Sequence, residues 1–144
     1  DSCPIASSAR VSESPAAIRE ELQSTMTQKC GVYRNEKDLR ECLSKIKELQ
    51  QRFKKAPVSD KGKVFNTDLF ENLELGHILE FSEIIVEGAI ARKESRGSHF
   101  RKDFPKRDDV NWLKHTLAFR GEDKPVLDYK PVKITKHQPQ ERKY

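Results

Sequence analysis

The stretch NEKDLRECLSKIKELQQRF, residues 35–53, decides the fold because its apolar residues recur every three or four positions. Such spacing places them on one face of an α-helix. Asn35 is a suitable N-cap, and Asp38 takes the acidic position of a capping box three residues later. Charged residues such as Lys45 and Arg52 occupy the solvent side. The predicted buried face consists of Leu39, Leu43, Ile46, Leu49 and Phe53.

Another helix is predicted before this stretch. Ser14 and Pro15 form a helix start, with serine as the N-cap and proline at the first helical position. Gly31 predicts a helix end near Lys29. The chain before this helix is Ser-rich and has no periodicity, so we expect residues 1–14 to be a linker or a disordered start. The apolar stripe of the helix consists of Ile18, Leu22 and Met26.

A third helix is predicted from Asn66 to about Ser95, and it is apolar on more than one face. A helix that is apolar on two sides is usually buried on both. We therefore expect it at the centre of an antiparallel three-helix bundle that spans residues 15–95. One side carries Leu69, Leu73 and Phe81, and the other carries Leu75, Leu79 and Val86.

The pattern changes after Gly97. Pro105 excludes a helix around it, and residues 112–119 alternate as in a β-strand. A turn rich in Gly, Asp and Pro separates them from a second short strand over residues 126–129, which predicts a hairpin. The fold class is thus mainly α, an antiparallel three-helix bundle followed by an extended loop and a β-hairpin. Residues 96–144 are expected to complete the same domain as a charged loop, the hairpin and a tail.

The composition indicates one domain with a small core. The 144 residues are 35% apolar and 35% charged, whereas ordinary domains are about 45–50% apolar and about 25% charged. Such a chain either forms long charged helices or completes its burial against a partner. No stretch approaches the roughly 20 apolar residues that cross a bilayer, and no signal-peptide pattern follows Asp1.

Positive charge is concentrated in the C-terminal third. Residues 92–144 contain fifteen Lys and Arg against eight Asp and Glu, whereas the rest of the chain contains thirteen against fifteen. The whole net charge of +5 therefore comes from this segment. Arg101 and Lys102 alternate with acids such as Asp103, and this alternation suits protein contacts better than a nucleic-acid backbone. We expect no nucleic-acid partner, although a basic helical adaptor that binds nucleic acid remains an alternative.

The sequence contains no recognisable catalytic or metal-binding motif. Cys3, Cys30 and Cys42 are odd in number and lack metal-ligand spacing, so they are expected to be free thiols in a reducing, cytoplasmic compartment. No Gly-rich phosphate loop is present. No bound metal is expected, because Asp108 and Asp109 have no further ligand at a known spacing. Of the remaining candidates, His77 is expected to be packed or to face a partner, and Trp112 is expected to anchor the hairpin. His115 and His137 have no ligand partner in the sequence.

His99 is the strongest single candidate for chemistry, since it lies among charged residues. With a carboxylate neighbour such as Glu94 or Asp103 it would serve as a general base. The favoured interpretation is structural: Arg96 and Arg101 pair with acids, and His99 hydrogen-bonds beside them. From the residues alone, the chain is expected to be a binding and packing module without a self-contained active site.

One segment resembles a known family. Residues 92–99 read RKESRGSH, residues 101–105 read RKDFP, and residues 107–109 read RDD. This series resembles the C-terminal region of the flavoprotein subunit of succinate dehydrogenases and fumarate reductases. Agreement extends through KHTLAF at residues 114–119 and covers about residues 20–144.

The resemblance implies a division of functions. In this family the flavoprotein subunit carries covalent FAD and interconverts succinate and fumarate, and an iron–sulfur subunit passes electrons to quinone in a membrane anchor. The FAD and dicarboxylate sites lie upstream, so we expect no catalytic, cofactor-binding or metal residue in this chain and no activity from it alone. Its partners would be the FAD-binding domain of the same subunit and the iron–sulfur subunit, with only an indirect link to the membrane anchor. The parent complex would lie on the cytoplasmic side of the cell membrane.

The resemblance also implies an interface role for the charged loop. The expected network consists of Glu94, Arg96, Gly97, His99, Arg101, Asp103, Arg107 and Asp108. L-aspartate oxidase shares the ESRG-x-H core but lacks the hairpin, and it remains a more distant alternative.

Overall fold

The computed structural model describes residues 14–56, 62–64 and 66–140. It contains three helices, α1 (Pro15–Lys29), α2 (Glu36–Phe53) and α3 (Thr67–Ala91). Two short strands, β1 (Tyr33–Arg34) and β2 (Phe100–Arg101), pair in parallel, and β3 (Lys114–Phe119) and β4 (Val126–Pro131) form an antiparallel hairpin. The fold is mainly α with a C-terminal hairpin, as predicted. Of the expected linker, residues 1–14, all but Ser14 lie outside the described residues.

Side-chain caps explain where the helices begin, and those at Ser14 and Asn35 were predicted. The side chains of Ser14, Asn35 and Asn66 accept hydrogen bonds from the backbone N–H groups of Ala17, Asp38 and Leu69, respectively. Each bond satisfies an amide that has no partner within the first helical turn.

The core lies where one face of each helix meets the other two. The predicted stripes of α1 and α2 are confirmed, and α2 packs against both other helices. Cys30 and Cys42 are buried in this core. The buried apolar residues are Ile18, Leu22, Cys30, Leu39, Cys42, Ile46, Leu49, Leu75, Leu79, Val86 and Ala89.

The second apolar face of α3 differs from the prediction. Phe70 is 72% exposed, Leu73 is 58% exposed and Phe81 is 65% exposed. The central helix is therefore α2, not α3, because α3 buries only the face that carries Leu75 and Leu79. The double-faced pattern was correctly recognised, but the second face is not covered by the other described elements.

α3 also ends earlier than predicted, at Ala91 and not near Ser95. The last helical bond runs from the Arg92 N–H to the carbonyl of Gly88, and the chain then becomes extended. No glycine or proline stands at residues 92–95 to stop the helix. The end is set by side chains that arrive from later in the chain.

The hairpin begins later than predicted, because β3 starts at Lys114 and not at Trp112, and β4 continues beyond Tyr129 to Pro131. The Trp112 ring meets the Tyr129 ring edge-on, with centroids 5.6 Å apart. The Lys114 ammonium lies 4.7 Å from the centroid of the Trp112 ring, so the tryptophan anchors the base of the hairpin. None of the described helices is long and apolar enough to cross a membrane.

The two faces of α3 should differ in their contribution to stability. Leu79 is buried and Leu73 is largely exposed on the same helix. We expect Leu79→Ala to lower the free energy of unfolding by about 2–5 kcal/mol, because it leaves a cavity in the core. The matched control, Leu73→Ala, should change it by less than about 1 kcal/mol. Urea unfolding of both variants tests this, and equal losses would contradict the assignment of the two faces.

Candidate functional site

The charged loop after α3 is organised around Arg101, whose side chain is completely buried. Its Nη1 donates hydrogen bonds to the carbonyl oxygens of Ala89 (2.9 Å) and Ile90 (3.1 Å) in the last turn of α3. Carbonyls at this position have no partner within the helix. The guanidinium therefore caps the C-terminus of α3, where its positive charge also opposes the helix dipole.

The other edge of the same guanidinium binds two carboxylates. Asp103 accepts hydrogen bonds from Nε (2.7 Å) and Nη2 (2.5 Å), and Glu36 accepts one from Nη2 (2.8 Å). Asp103 also accepts a bond from the backbone N–H of Glu36, in the first turn of α2. The hydrogen bonds that Arg101 donates to Asp103 raise the pKa of Arg101, and the same bonds lower the pKa of Asp103. Arg101 thus joins the end of α3 to the start of α2.

Glu94 forms a second buried centre, with no exposed surface. One carboxylate oxygen accepts from Arg92 (2.6 Å) and Arg96 (2.8 Å), and the other accepts from Arg96 (3.1 Å) and the backbone N–H of Asp108 (2.9 Å). Burial alone would raise the pKa of Glu94. The bonds from Arg96, the Asp108 amide and Arg92 outweigh burial and lower it below the ordinary value.

Arg92 connects this centre to the hairpin. Besides its bond to Glu94, it donates to the carbonyl oxygens of Trp112 (3.0 Å) and Lys114 (2.7 Å) and to the hydroxyl of Thr116 (3.2 Å). The guanidinium carbon lies 5.2 Å from the centroid of the Trp112 ring. One arginine therefore holds the hairpin against the end of α3.

Among the described residues, the ring of His99 bonds to Arg34 and to the carbonyl of Arg92 and to no carboxylate. Its Nδ1 lies 2.8 Å from Nη1 of Arg34, and its Nε2 lies 3.2 Å from the carbonyl oxygen of Arg92. A guanidinium only donates, so Nδ1 accepts and Nε2–H donates, which is the pattern of a neutral imidazole. Burial lowers the pKa of His99, and the cationic arginines lower it further. These contacts favour the structural interpretation of His99 over that of a general base.

The remaining loop residues shape the backbone. Gly97 has a φ of 59°, a left-handed conformation that suits glycine, and it lies in a turn whose flanking residues Arg96 and His99 exchange two backbone hydrogen bonds. The Asp108 carboxylate accepts from the backbone N–H groups of Val110 and Asn111. Arg107 donates to Asp109, which also pairs with Arg96.

The structure thus brings most of the expected residues together. Glu94 and Arg96 lie in one cluster with Asp108, Arg101 and Asp103 lie in a second, and His99 lies between them. Arg107 lies at the edge of the first cluster, where it donates to Asp109.

The sequence did not indicate three residues that take part in these contacts. Glu36 and Arg34 lie 65 residues before their partners, and the bonds of Arg92 run to the hairpin backbone. Asp109, which was a cation candidate in the sequence, is instead an ion-pair partner.

The other candidates have no arrangement suited to chemistry. Burial raises the pKa of Cys30 and raises that of Cys42 to about 11, so both thiols stay protonated. His77, His115 and His137 are exposed. Within the described residues, no group of three or more His, Cys, Asp or Glu is placed to hold a metal ion.

These features define a helical domain whose charged loop connects the ends of α2 and α3 and the hairpin through buried ion pairs and hydrogen bonds. The family described as "Fumarate reductase flavoprotein C-term" matches residues 19–144. The chain belongs to this family.

Two curated relatives and one solved structure illustrate the match. The chain is 50% identical over 133 residues to the fumarate reductase flavoprotein subunit of Haemophilus influenzae, covering 92% of this chain and 22% of that protein. It is 43% identical over 121 residues to the succinate dehydrogenase flavoprotein subunit of Rickettsia conorii, covering 83% and 20%. A structure of Escherichia coli quinol fumarate reductase matches with a TM-score of 0.84 and 46% identity, over 90% of this chain and 23% of that one. The chain therefore spans about a fifth of the length of these relatives.

Loss of Arg101 should destabilise the domain. We expect Arg101→Met to lower the free energy of unfolding by about 3 kcal/mol, because the carbonyls of α3 and two carboxylates lose their partner. This loss of unfolding free energy is at the low end of the range for breaking a buried ion pair. The reason is that the Glu36 and Asp103 carboxylates are partly exposed, so water can solvate them when Arg101 is removed. The neighbouring Lys102 is exposed, so Lys102→Met should have little effect. Urea unfolding at pH 7 measures both, and an equal effect would contradict the role of Arg101.

Glu94 should contribute to acid sensitivity. Because its pKa is lower in the folded chain than in the unfolded chain, its stabilising effect is present above its unfolded pKa and is lost as pH falls through the folded value. We expect Glu94→Gln to reduce stability at pH 7 and to flatten the decline below about pH 4.5. Chemical unfolding at several pH values tests this. An unchanged acid slope would show that Glu94 is not a main contributor.

Proposed function

We propose that this chain acts as the C-terminal helical domain of a flavoprotein subunit that interconverts succinate and fumarate. The family match over residues 19–144 carries the proposal. In the proposed parent, FAD accepts or donates the electrons, and an iron–sulfur subunit and a quinone complete the transfer. The chain itself holds neither the FAD nor the dicarboxylate site and is inactive alone. Its relatives, fumarate reductase and succinate dehydrogenase flavoprotein subunits, support this assignment.

The exposed face of α3 is the proposed contact with the FAD-binding domain of the same subunit. Phe70, Leu73 and Phe81 project from one side of the helix, and Ile85 continues that side. Clustered exposed apolar residues of this size usually mark a contact surface. Since the relatives contain about four times as much additional polypeptide, a domain that is absent from this chain is a natural cover for this face.

The charged loop is the proposed second contact, at the FAD-binding domain or beside the iron–sulfur subunit. Its buried arginines and acids are already paired within the loop, so a partner would meet a fixed shape and would not need to order it on binding. The link to a membrane anchor would be indirect. The subunit would thus lie at the cytoplasmic membrane surface through the complex, with no role for nucleic acid.

Flavin content tests the proposed division of functions. We expect the purified 144-residue chain to fold, by its helical circular dichroism, and to show no flavin absorbance near 450 nm after incubation with FAD. It should also fail to reduce fumarate with a viologen dye. Copurifying flavin or measurable turnover would contradict the proposal that the cofactor and substrate sites lie elsewhere.

The α3 face can be tested by one substitution. Phe81 is largely exposed here, so Phe81→Ser should leave the stability of this chain nearly unchanged. It should weaken copurification of a coexpressed FAD-binding domain from the same subunit by at least about tenfold, because one buried aromatic anchor is lost. Val64→Ser, at a 77% exposed position before α3 and outside both proposed contacts, is the matched control. Undiminished copurification with Phe81→Ser would contradict the assignment of this face.

A further inference from the structure

His99 lies where three parts of the chain meet. Its ring accepts a hydrogen bond from Arg34 on β1 and donates one to the carbonyl of Arg92 at the end of α3. Backbone bonds run beside it from the N–H of Phe100 to the carbonyl of Val32 (3.2 Å) and from the N–H of Lys102 to the carbonyl of Arg34 (2.8 Å). These contacts join the charged loop to the connection between α1 and α2.

The charges around the ring are positive. Burial is the largest cause of the lowered pKa of His99, and the charges of Arg34 on β1, Arg101 on β2 and Arg92 at the end of α3 add to it. The hydrogen bond to the carbonyl of Arg92 opposes this shift without reversing it. The nearby carboxylates are engaged by arginines: Glu94 pairs with Arg92 and Arg96, whereas Glu36 and Asp103 pair with Arg101. The facing side of α3 and the hairpin contributes Ile84, Ile85, Ala89, Thr116 and Leu127, none of which is ionisable.

We propose that His99 is an acid-sensitive latch that holds the charged loop against β1. A proton from solvent on Nδ1 converts the acceptor of the Arg34 bond into a donor. Two donors and two positive charges then face each other across about 3 Å. The loop then keeps the backbone bonds of the parallel pairing, the edge-on contact between the Tyr33 and Phe100 rings, and the bonds of Arg101 and Asp103 with Glu36. Because the side-chain bond at His99 is lost, the pairing of β1 with β2 opens more often, before the bundle unfolds.

The pH range follows from the direction of the shift. The pKa of His99 is lower in the closed loop than in the open loop, where it approaches about 6.5. The latch is fully effective above that value and weakens as pH falls below it. The opening constant should rise about tenfold for each pH unit until the closed form is also protonated.

Amide hydrogen exchange of the full chain measures the opening directly. After correction for intrinsic exchange, we expect the protection factors of the Phe100 and Lys102 amides to fall severalfold or more between pH 7.5 and 5.5. Core amides of α2, such as those of Ile46 and Leu49, should change much less. His99→Gln keeps a donor and an acceptor but cannot take up the proton, so its loop protection should be nearly independent of pH. His115→Gln, at an exposed position on β3, is the matched control and should behave like the unaltered chain.

Titration of the ring provides a second measurement if His99→Gln does not fold. The ring-proton NMR signal of His99 in the unaltered chain should titrate below pH 6.5. A midpoint at or above 6.5 would overturn the proposal, as would loop protection in His99→Gln that falls with acid as it does in the unaltered chain.

Discussion

The architecture depends on one buried guanidinium. Arg101 donates to the last carbonyls of α3 with one edge and to carboxylates near the start of α2 with the other. A buried arginine is costly unless nearly all of its donors are matched, and here they are matched by a helix terminus as well as by acids. Arg101 satisfies the carbonyls of α3, and its partner Asp103 accepts a bond from the first amide of α2, so the two helix ends are linked through one ion pair. The loop, the helix ends and the hairpin are therefore held together by one network of ion pairs and hydrogen bonds.

This polar network allows a chain with few apolar residues to keep a defined shape. The core is confined to one face of each helix, and α3 leaves aromatic and aliphatic side chains on its outer face. Arg92 connects the hairpin to this network, because it donates to backbone carbonyls of the hairpin region and lies over the Trp112 ring. Polar contacts thus fix the relative position of elements that share little apolar contact. The exposed face is left available for an interface.

This arrangement gives the arginines, acids and histidine of the charged loop a structural role. Catalytic groups usually lie in a cleft with perturbed pKa values that suit proton or group transfer. Here the shifts stabilise fixed charges: Glu94 and Asp103 stay ionised, and His99 stays neutral. Family membership agrees with this division, since the relatives contain about four-fifths of their length outside the matched region.

The sequence by itself determined the elements that depend on local spacing and capping. Asn35 and the stripe that follows it specified α2, Ser14 and Pro15 specified the start of α1, and the alternation after Trp112 specified the hairpin. Only the tertiary structure decided which arginine is buried, where α3 ends, and that His99 meets Arg34. Those outcomes depend on contacts between residues far apart in the sequence, such as Arg101 and Glu36, which are 65 residues apart. No local pattern in the sequence indicates which residues make such contacts. The sequence correctly indicated that the outer face of α3 is apolar. Whether that face is exposed depends on which element packs against it, and residue spacing along one helix does not specify this.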